Sequence, residues 1–280
     1  MSLLDRIRAL PEPDLSAYLP FRVDGLALGH VEADFAARLA RFSDTFRVTA
    51  SEVALAPGLA GSFARTRAVG QALRALRDEG CSPGWREELY PVGPSLAEPL
   101  FALERAAIPK FGVRACGVHL NGYVRTAAGL EMWIGRRADD RLVEPGKLDQ
   151  LVAGGLPAGL TPTDNLRKEA AEEAAIPSAL IAQARACGTI SYRTLRPEGL
   201  RNDVLFVYDL ELPADFEPHN TDGEIAGFAR WPISRLIAEL ERGDAFKFNC
   251  SLVAIDFLIR HGLIAAEHPD YAELVRGLHR

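Results

Sequence analysis

Long hydrophobic runs, clustered cysteines and an excess of basic residues are all missing from this 280-residue chain. No stretch approaches the ~18 consecutive apolar residues of a membrane helix, so an integral membrane role is disfavoured. The four cysteines, Cys81, Cys116, Cys187 and Cys250, lie far apart and make no C-x-x-C pair. This argues against a zinc ribbon or a disulfide framework and suits reduced thiols. The formal net charge of −6 argues against a nucleic-acid-binding surface, where a basic patch is expected. It leaves anionic small molecules open, because a bound metal can supply local positive charge. The start, MSLLDRIRALPEPDLSAYLPF, lacks the basic segment and apolar run of a secretory signal, so the expected location is cytoplasmic. Repeats and low-complexity tracts are absent as well.

What is present is an ordinary globular composition. Hydrophobic residues make up 48% and charged residues 25%, which provides a real core. At roughly 100–200 residues per domain, the length fits one large or two modest domains. Residues 21–31 read as strand, glycine turn and strand. Residues 32–42 have helical spacing, 46–56 look extended, 62–80 form an amphipathic helix, and 88–93 a short strand. Residues 95–110 read as a connecting helix ending near Pro109. Beyond it, 113–125 and 130–138 are strands joined by a hairpin-like TAAG. A glycine-rich segment (145–162) leads into a helix over 161–176. Strands follow at 186–194 and 203–213, then a strand-to-helix passage over 229–243 and an apolar helix over 251–264. Strands alternating with helices predict an α/β sandwich from about residue 110 onward.

The helix beginning at Thr161 carries the chemistry. Thr161 suits the N-cap, Pro162 the first helical position, and Asp164 completes a capping box. Glu169, Glu172 and Glu173 follow at i, i+3, i+4 and share a face. A glutamate-rich face alone reads as solvated surface. Three like charges on one turn, however, gain from a hard cation between them, and Mg²⁺ joins such carboxylates to substrate phosphates. The preceding Ala153-Gly154-Gly155-Leu156-Pro157-Ala158-Gly159-Leu160 allows close backbone approach to a ligand.

This loop and helix resemble the Nudix box. That pattern runs glycine, five residues, glutamate, seven residues, then Arg-Glu-apolar-x-Glu-Glu-x-Gly-apolar. Gly154 and the three helix glutamates match it; Leu160, Lys168 and Ala175 stand where glutamate, arginine and glycine are usual. Lysine does not reproduce the forked bonding of arginine. The segments MWIGRRADDRLVEPGKLDQLVAGGLPAGLTP, SYRTLRPEGLRNDVLFVYDLELPADFEPHNTDGEI, FKFN and DFLIRHG extend the likeness. They are similar to the branch related to the Nudix half of fungal thiamine pyrophosphokinase-like proteins and to plant Nudix homologues. The resemblance implies a Nudix α/β/α sandwich with a mixed sheet over 109–280, preceded by a smaller α+β domain over 1–108. It implies a diphosphatase using Mg²⁺, with Mn²⁺ as a substitute, on thiamine diphosphate or its oxidised relatives. Hydrolysis of a nucleoside diphosphate derivative, and a catalytically weak ligand-binding module, are the alternatives.

On this reading Gly154, Glu169, Glu172 and Glu173 hold metal, and Glu173, Glu224 and Glu169 are the catalytic carboxylates. Glu224 precedes a strand ending in Trp231 and is the leading candidate for general base, ahead of Asp222. Arg136 and Arg137 point to opposite strand faces, so at most one enters the site; Arg136 is the candidate. Lys147, Lys247 and Asn249 complete the substrate contacts. Cys116 with His119 is the only nearby pair for an isomerase, whereas a buried hydrogen-bonded histidine is the plainer reading. Tyr192, Tyr208 and Trp133 read as core. The expected partner is a small-molecule diphosphate, without nucleic acid or membrane, and a homodimer is compatible with the sequence.

Overall fold

The structure, a computed structural model, describes residues 2–80 and 84–280; Cys81 lies outside the described residues. The chain begins with a short helix, α1 (Leu3–Arg8). It continues through β1 (Tyr18–Val23), β2 (Leu26–Glu32), α2 (Ala33–Leu39), β3 (Phe46–Val48), β4 (Val53–Leu55) and α3 (Gly61–Asp78). The tight connection between β1 and β2 is Asp24-Gly25, both with positive φ. Four strands form one sheet in the order β2-β1-β4-β3, with β1 and β4 parallel. Phe21, Phe35, Phe46, Leu73, Phe101 and Phe111 fill its core.

The expected connecting helix over 95–110 is a strand and a bend instead. β5 (Leu89–Val92) pairs antiparallel with β6 (Phe101–Glu104), and the helical part is confined to a 3-10 turn (Arg105–Ala107) and α4 (Ile108–Phe111). Pro94 and Pro99 interrupt the backbone hydrogen bonding a helix would need. Phe101 and Leu103 alternate inward, as a strand requires.

The second sheet is built from β7 (Ala115–Thr126), β8 (Gly129–Arg137), β11 (Arg185–Arg196), β12 (Gly199–Glu211) and β13 (Ile225–Pro232), in the order β11-β12-β7-β8-β13. Two short strands inside the glycine-rich segment, β9 (Leu148–Asp149) and β10 (Val152–Gly155), pair with β8 and β7. β12 and β7 run parallel and the other pairs antiparallel, so the sheet is mixed. Helices α5 (Pro162–Ala174) and α6 (Ser178–Ile181) cover one face through Leu166, Ala170, Ala174 and Ile181. α7 (Ile233–Arg242), α8 (Cys250–Arg260) and α9 (Tyr271–Gly277) cover the other. The result is an α/β/α sandwich with a smaller α+β unit before it. The packing departs from a cut at 108/109 in two places. Leu3, Leu4, Ile7 and Leu10 lie in the carboxy-terminal core, and Phe111, Val113 and Ala115 in the amino-terminal one. Among the described residues, no helix is long and apolar enough to cross a membrane.

Candidate active site

The helix α5 is started and stopped by local chemistry. Thr161 Oγ1 accepts the Asp164 N–H at 3.1 Å, and Pro162 occupies the first turn where no amide partner is needed. The helix ends on Ala175, whose backbone is left-handed (φ 50°), and Ile176 N–H returns to the Ala170 carbonyl. This is the position where the Nudix pattern has glycine, and the left-handed stop supplies the reason.

Two bonds tie α5 to the glycine strand β10. Asn165 Nδ2 donates to the Gly155 carbonyl at 2.9 Å, and Glu173 Oε2 accepts the Ala153 N–H at 2.8 Å. Gly154 meets the side chain of Glu169 so closely that a Cβ there would overlap its carboxyl carbon. Its glycine is therefore a matter of space, since its φ is not positive. The Gly154 carbonyl packs beside Gly117 on β7.

The three helix glutamates sit at different depths. Glu173 is buried at 4% exposure, Glu169 is largely covered, and the Glu172 side chain is 47% exposed at the rim. Burial pushes the Glu173 carboxyl well above the ordinary range. The Ala153 N–H opposes this, and Asp149, Glu169 and Glu224 add to it. Burial also raises Glu169, against the pull of Lys168. No cationic side chain pairs with Glu173 among the described residues. Lys168 instead bridges Glu169 and Glu172. The Glu172 carbonyl anchors the loop before Glu224, accepting from Thr221 N and Oγ1.

Beside the helix opens a cavity of about 380 Å³. Gly154, Gly155, Glu224, Lys247 and Asn249 line it, together with Arg137, Arg141, Arg201 and the ring of Phe248. Glu224 Oε1 is paired with Arg141 at 2.6 Å. Lys247 lies 3.7 Å from the buried Asp149, and Arg137 2.9 Å from it. Burial opposes ionisation of Asp149, but Lys247 and Arg137 outweigh it and hold the carboxyl below its usual range.

The helix carboxylates Glu169, Glu172 and Glu173 stand behind Gly154 rather than in the cavity lining, and Arg136 and Lys147 are turned away from it. Arg136 pairs with Asp139 on the exposed side, and Arg137, on the other strand face, takes the inward place. The alternation of β8 gave no face signal, because both of its faces are buried around Met132, Trp133 and Ile134. The Lys147 ammonium is engaged by Asp244, through both its carboxylate and its carbonyl, and does not line the cavity.

His119, Asp149 and Cys250 place potential metal donors within 4.8 Å of one another. Each is already engaged: His119 Nδ1 with Gln150 Oε1, and Cys250 Sγ with Asp149 Oδ1. Burial, helped by Lys247, lowers His119 to about 4, so its ring is neutral at pH 7. Burial lifts the Cys116 thiol to about 11, which removes the reactive thiolate an isomerase would need.

The amino-terminal region supplies a wall that the sequence did not signal. Tyr90, Arg105, Ile108 and Pro109 line the cavity beside the glycine strand. Their spacing within the chain carries no motif; only the docking of β5 on the loop, through Ala158 N–H and the Leu89 carbonyl at 2.7 Å, brings them in.

Residues 2–115 match a family model described as a domain of unknown function, DUF4743. Nudix hydrolase 24, chloroplastic, of Arabidopsis thaliana is 43% identical over 267 residues, covering 94% of this chain and 73% of that protein. Nudix hydrolase 20, chloroplastic, of the same plant is 42% identical over 276 residues with the same coverage. Among solved structures, the Nudix domain of Shewanella oneidensis NrtR, complexed with ADP-ribose, is similar at 12% identity and a TM-score of 0.43, over 54% of this chain and 90% of that one. With a Nudix sandwich, a box glycine and three box glutamates in place, and relatives of this identity along nearly the whole chain, the protein belongs to the Nudix hydrolase family.

Proposed function

We propose that this Nudix hydrolase cleaves the diphosphate of a small molecule, namely thiamine diphosphate or an oxidised relative, to the monophosphate, using Mg²⁺ or Mn²⁺. The observation that carries the metal reading is Glu173. It is a buried carboxylate with Glu169 and Glu224 close enough to raise its pKa, and no cation pairs with it among the described residues. Such a cluster is costly when ionised and becomes favourable when a divalent cation joins it. Glu169, Glu172 and Glu173, with the Gly154 carbonyl, are the residues that would hold it. When bound, the metal neutralises charge on the phosphates and orders the attacking water.

The remaining work falls to the chain itself. Glu224 lines the cavity, placed to take a proton from water, while Arg141 holds Oε1. Lys247 presents an ammonium to the phosphates, and Asn249 lines the cavity beside it. Phe248, edge-on to Tyr192 and with the Arg196 guanidinium 4.6 Å from its ring centre, lines the cavity as an apolar contact for an organic ring. The thiamine assignment rests on the resemblance of the segments around the box.

A phosphate-release screen with Mg²⁺ and Mn²⁺ tests the reading. It should compare thiamine diphosphate, its oxidised analogues, nucleoside diphosphate sugars and nucleoside triphosphates. Preference for a nucleotide would replace the substrate while keeping the chemistry. Full activity in Glu172→Gln or Glu173→Gln would show the site assignment to be wrong.

A further inference from the structure

We propose that Tyr90, from the amino-terminal region, is a substrate-binding residue of this cavity that donates its phenolic hydrogen to a phosphate oxygen of the bound diphosphate. The inference rests on the diphosphate reading above and extends the binding site into the part of the chain outside the Nudix sandwich.

The placement is specific. β5 is fastened beside the glycine loop by the Ala158–Leu89 hydrogen bond, and Tyr90 is the next residue along. Its hydroxyl comes over Gly155 so closely that a Cβ at that position would overlap it. The second glycine of the loop thus accommodates a side chain from another part of the fold, in the way that Gly154 accommodates Glu169. Arg105, held by Glu88 at 2.8 Å, lies 5.7 Å from the centre of the tyrosine ring and restrains it.

Tyr90 is buried and lines the cavity, and its hydroxyl makes no hydrogen bond among the described residues. A buried phenol ordinarily finds a partner. Here the open side is the cavity, where Glu169 and Arg201 are near enough to act on it electrostatically. Burial raises its pKa far above neutrality, so the group is an O–H donor throughout the working range. A neutral donor beside the glycine strand suits a phosphate oxygen, which accepts without requiring a further cation.

The test uses the full chain and methylenediphosphonate, whose carbon bridge resists hydrolysis. Its dissociation constant is measured by calorimetry with Mg²⁺ for the wild type and for Tyr90→Phe. Loss of one hydrogen bond to a charged acceptor predicts weakening by about tenfold or more. The unfolding midpoints should coincide, since the hydroxyl has no partner within the protein. Equal affinities in the two proteins would overturn the role of Tyr90. A wild type that fails to bind the probe would overturn the diphosphate reading, and this inference with it.

Discussion

The Lys168 ammonium stands 3.3 Å from Glu169 Oε1 and 2.7 Å from Glu172 Oε2, among the carboxylates that α5 offers to a cation. A lysine there is a point charge, where the usual arginine would form a fork. The pair with Glu172 is a half-exposed i,i+4 contact, worth well under ~1 kcal/mol to the fold. Its consequence is competition: a metal that uses Glu169 and Glu172 must displace the ammonium. Lys168→Gln should therefore lower the Mg²⁺ concentration for half-maximal activity by about two- to fivefold, the equivalent of such a pair. A metal titration of initial rates checks it, and an unchanged or increased requirement counts against metal at these two carboxylates.

Ala175 closes the same helix in a left-handed conformation, with φ 50° and ψ 36°. An L-residue in that region costs roughly 1–2 kcal/mol relative to glycine. Ala175→Gly removes the strain, and the freedom it adds to the unfolded chain takes part of the gain back. A net stabilisation of about 0.5–1 kcal/mol is expected, raising the unfolding midpoint by about 1–3 °C for a chain of this size. A calorimetric scan showing a lower midpoint would mean that the methyl group does something at this turn that its conformation does not reveal.

Much of this architecture is legible in the sequence because it is written locally. Thr161, Pro162 and Asp164 mark the start of α5, and the strands of the second sheet announce themselves by apolar runs between turns. The segment 95–110 imitates a helix because Leu96, Leu100, Leu103 and Ala107 fall at helical spacing, while Pro94 and Pro99 outweigh it. β9 and β10 are hidden inside a glycine-rich segment, since two to four residues carry no period of their own. The site divides in the same way. Glu169 and Glu173 stand out from helical spacing. Tyr90 and Arg105 reach the cavity only through the docking of β5, which nothing near them in the chain encodes.

Arg136 and Arg137 are neighbours with opposite expected behaviour. Arg136 makes an exposed pair with Asp139, so Arg136→Ala should change stability by less than ~0.5 kcal/mol and leave kcat/KM intact. Arg137 is buried against Asp149, Val143 and Glu144, and its loss leaves the sealed carboxylate with Lys247, at 3.7 Å, as its one Lys or Arg ion-pair partner among the described residues. Arg137→Ala should cost about 3 kcal/mol. Parallel urea titrations of the two variants decide it, and equal losses would contradict the burial difference.

The pH dependence of the metal-free protein follows from Glu173. Burial, Asp149, Glu169 and Glu224 raise its folded-state pKa above the ordinary 4.5, so the folded protein holds a proton that the unfolded chain has released. Below about pH 4.5 both states are protonated and the group costs nothing. As pH climbs from there through the raised folded value, the unfolded state is increasingly favoured, at up to about 1.36 kcal/mol per pH unit. Glu173→Gln keeps an acceptor for the Ala153 N–H and cannot ionise. Without metal, the variant should therefore unfold at a higher temperature than the wild type at about pH 8, and the gap should close on acidification toward about pH 4.5. Added Mg²⁺ should stabilise the wild type at the alkaline end and leave the variant nearly unmoved, because only the carboxylate gains from the cation. Midpoints measured across pH, with and without metal, for both proteins check this. A wild type more stable than the variant under alkaline, metal-free conditions would show that Glu173 is already compensated inside the fold.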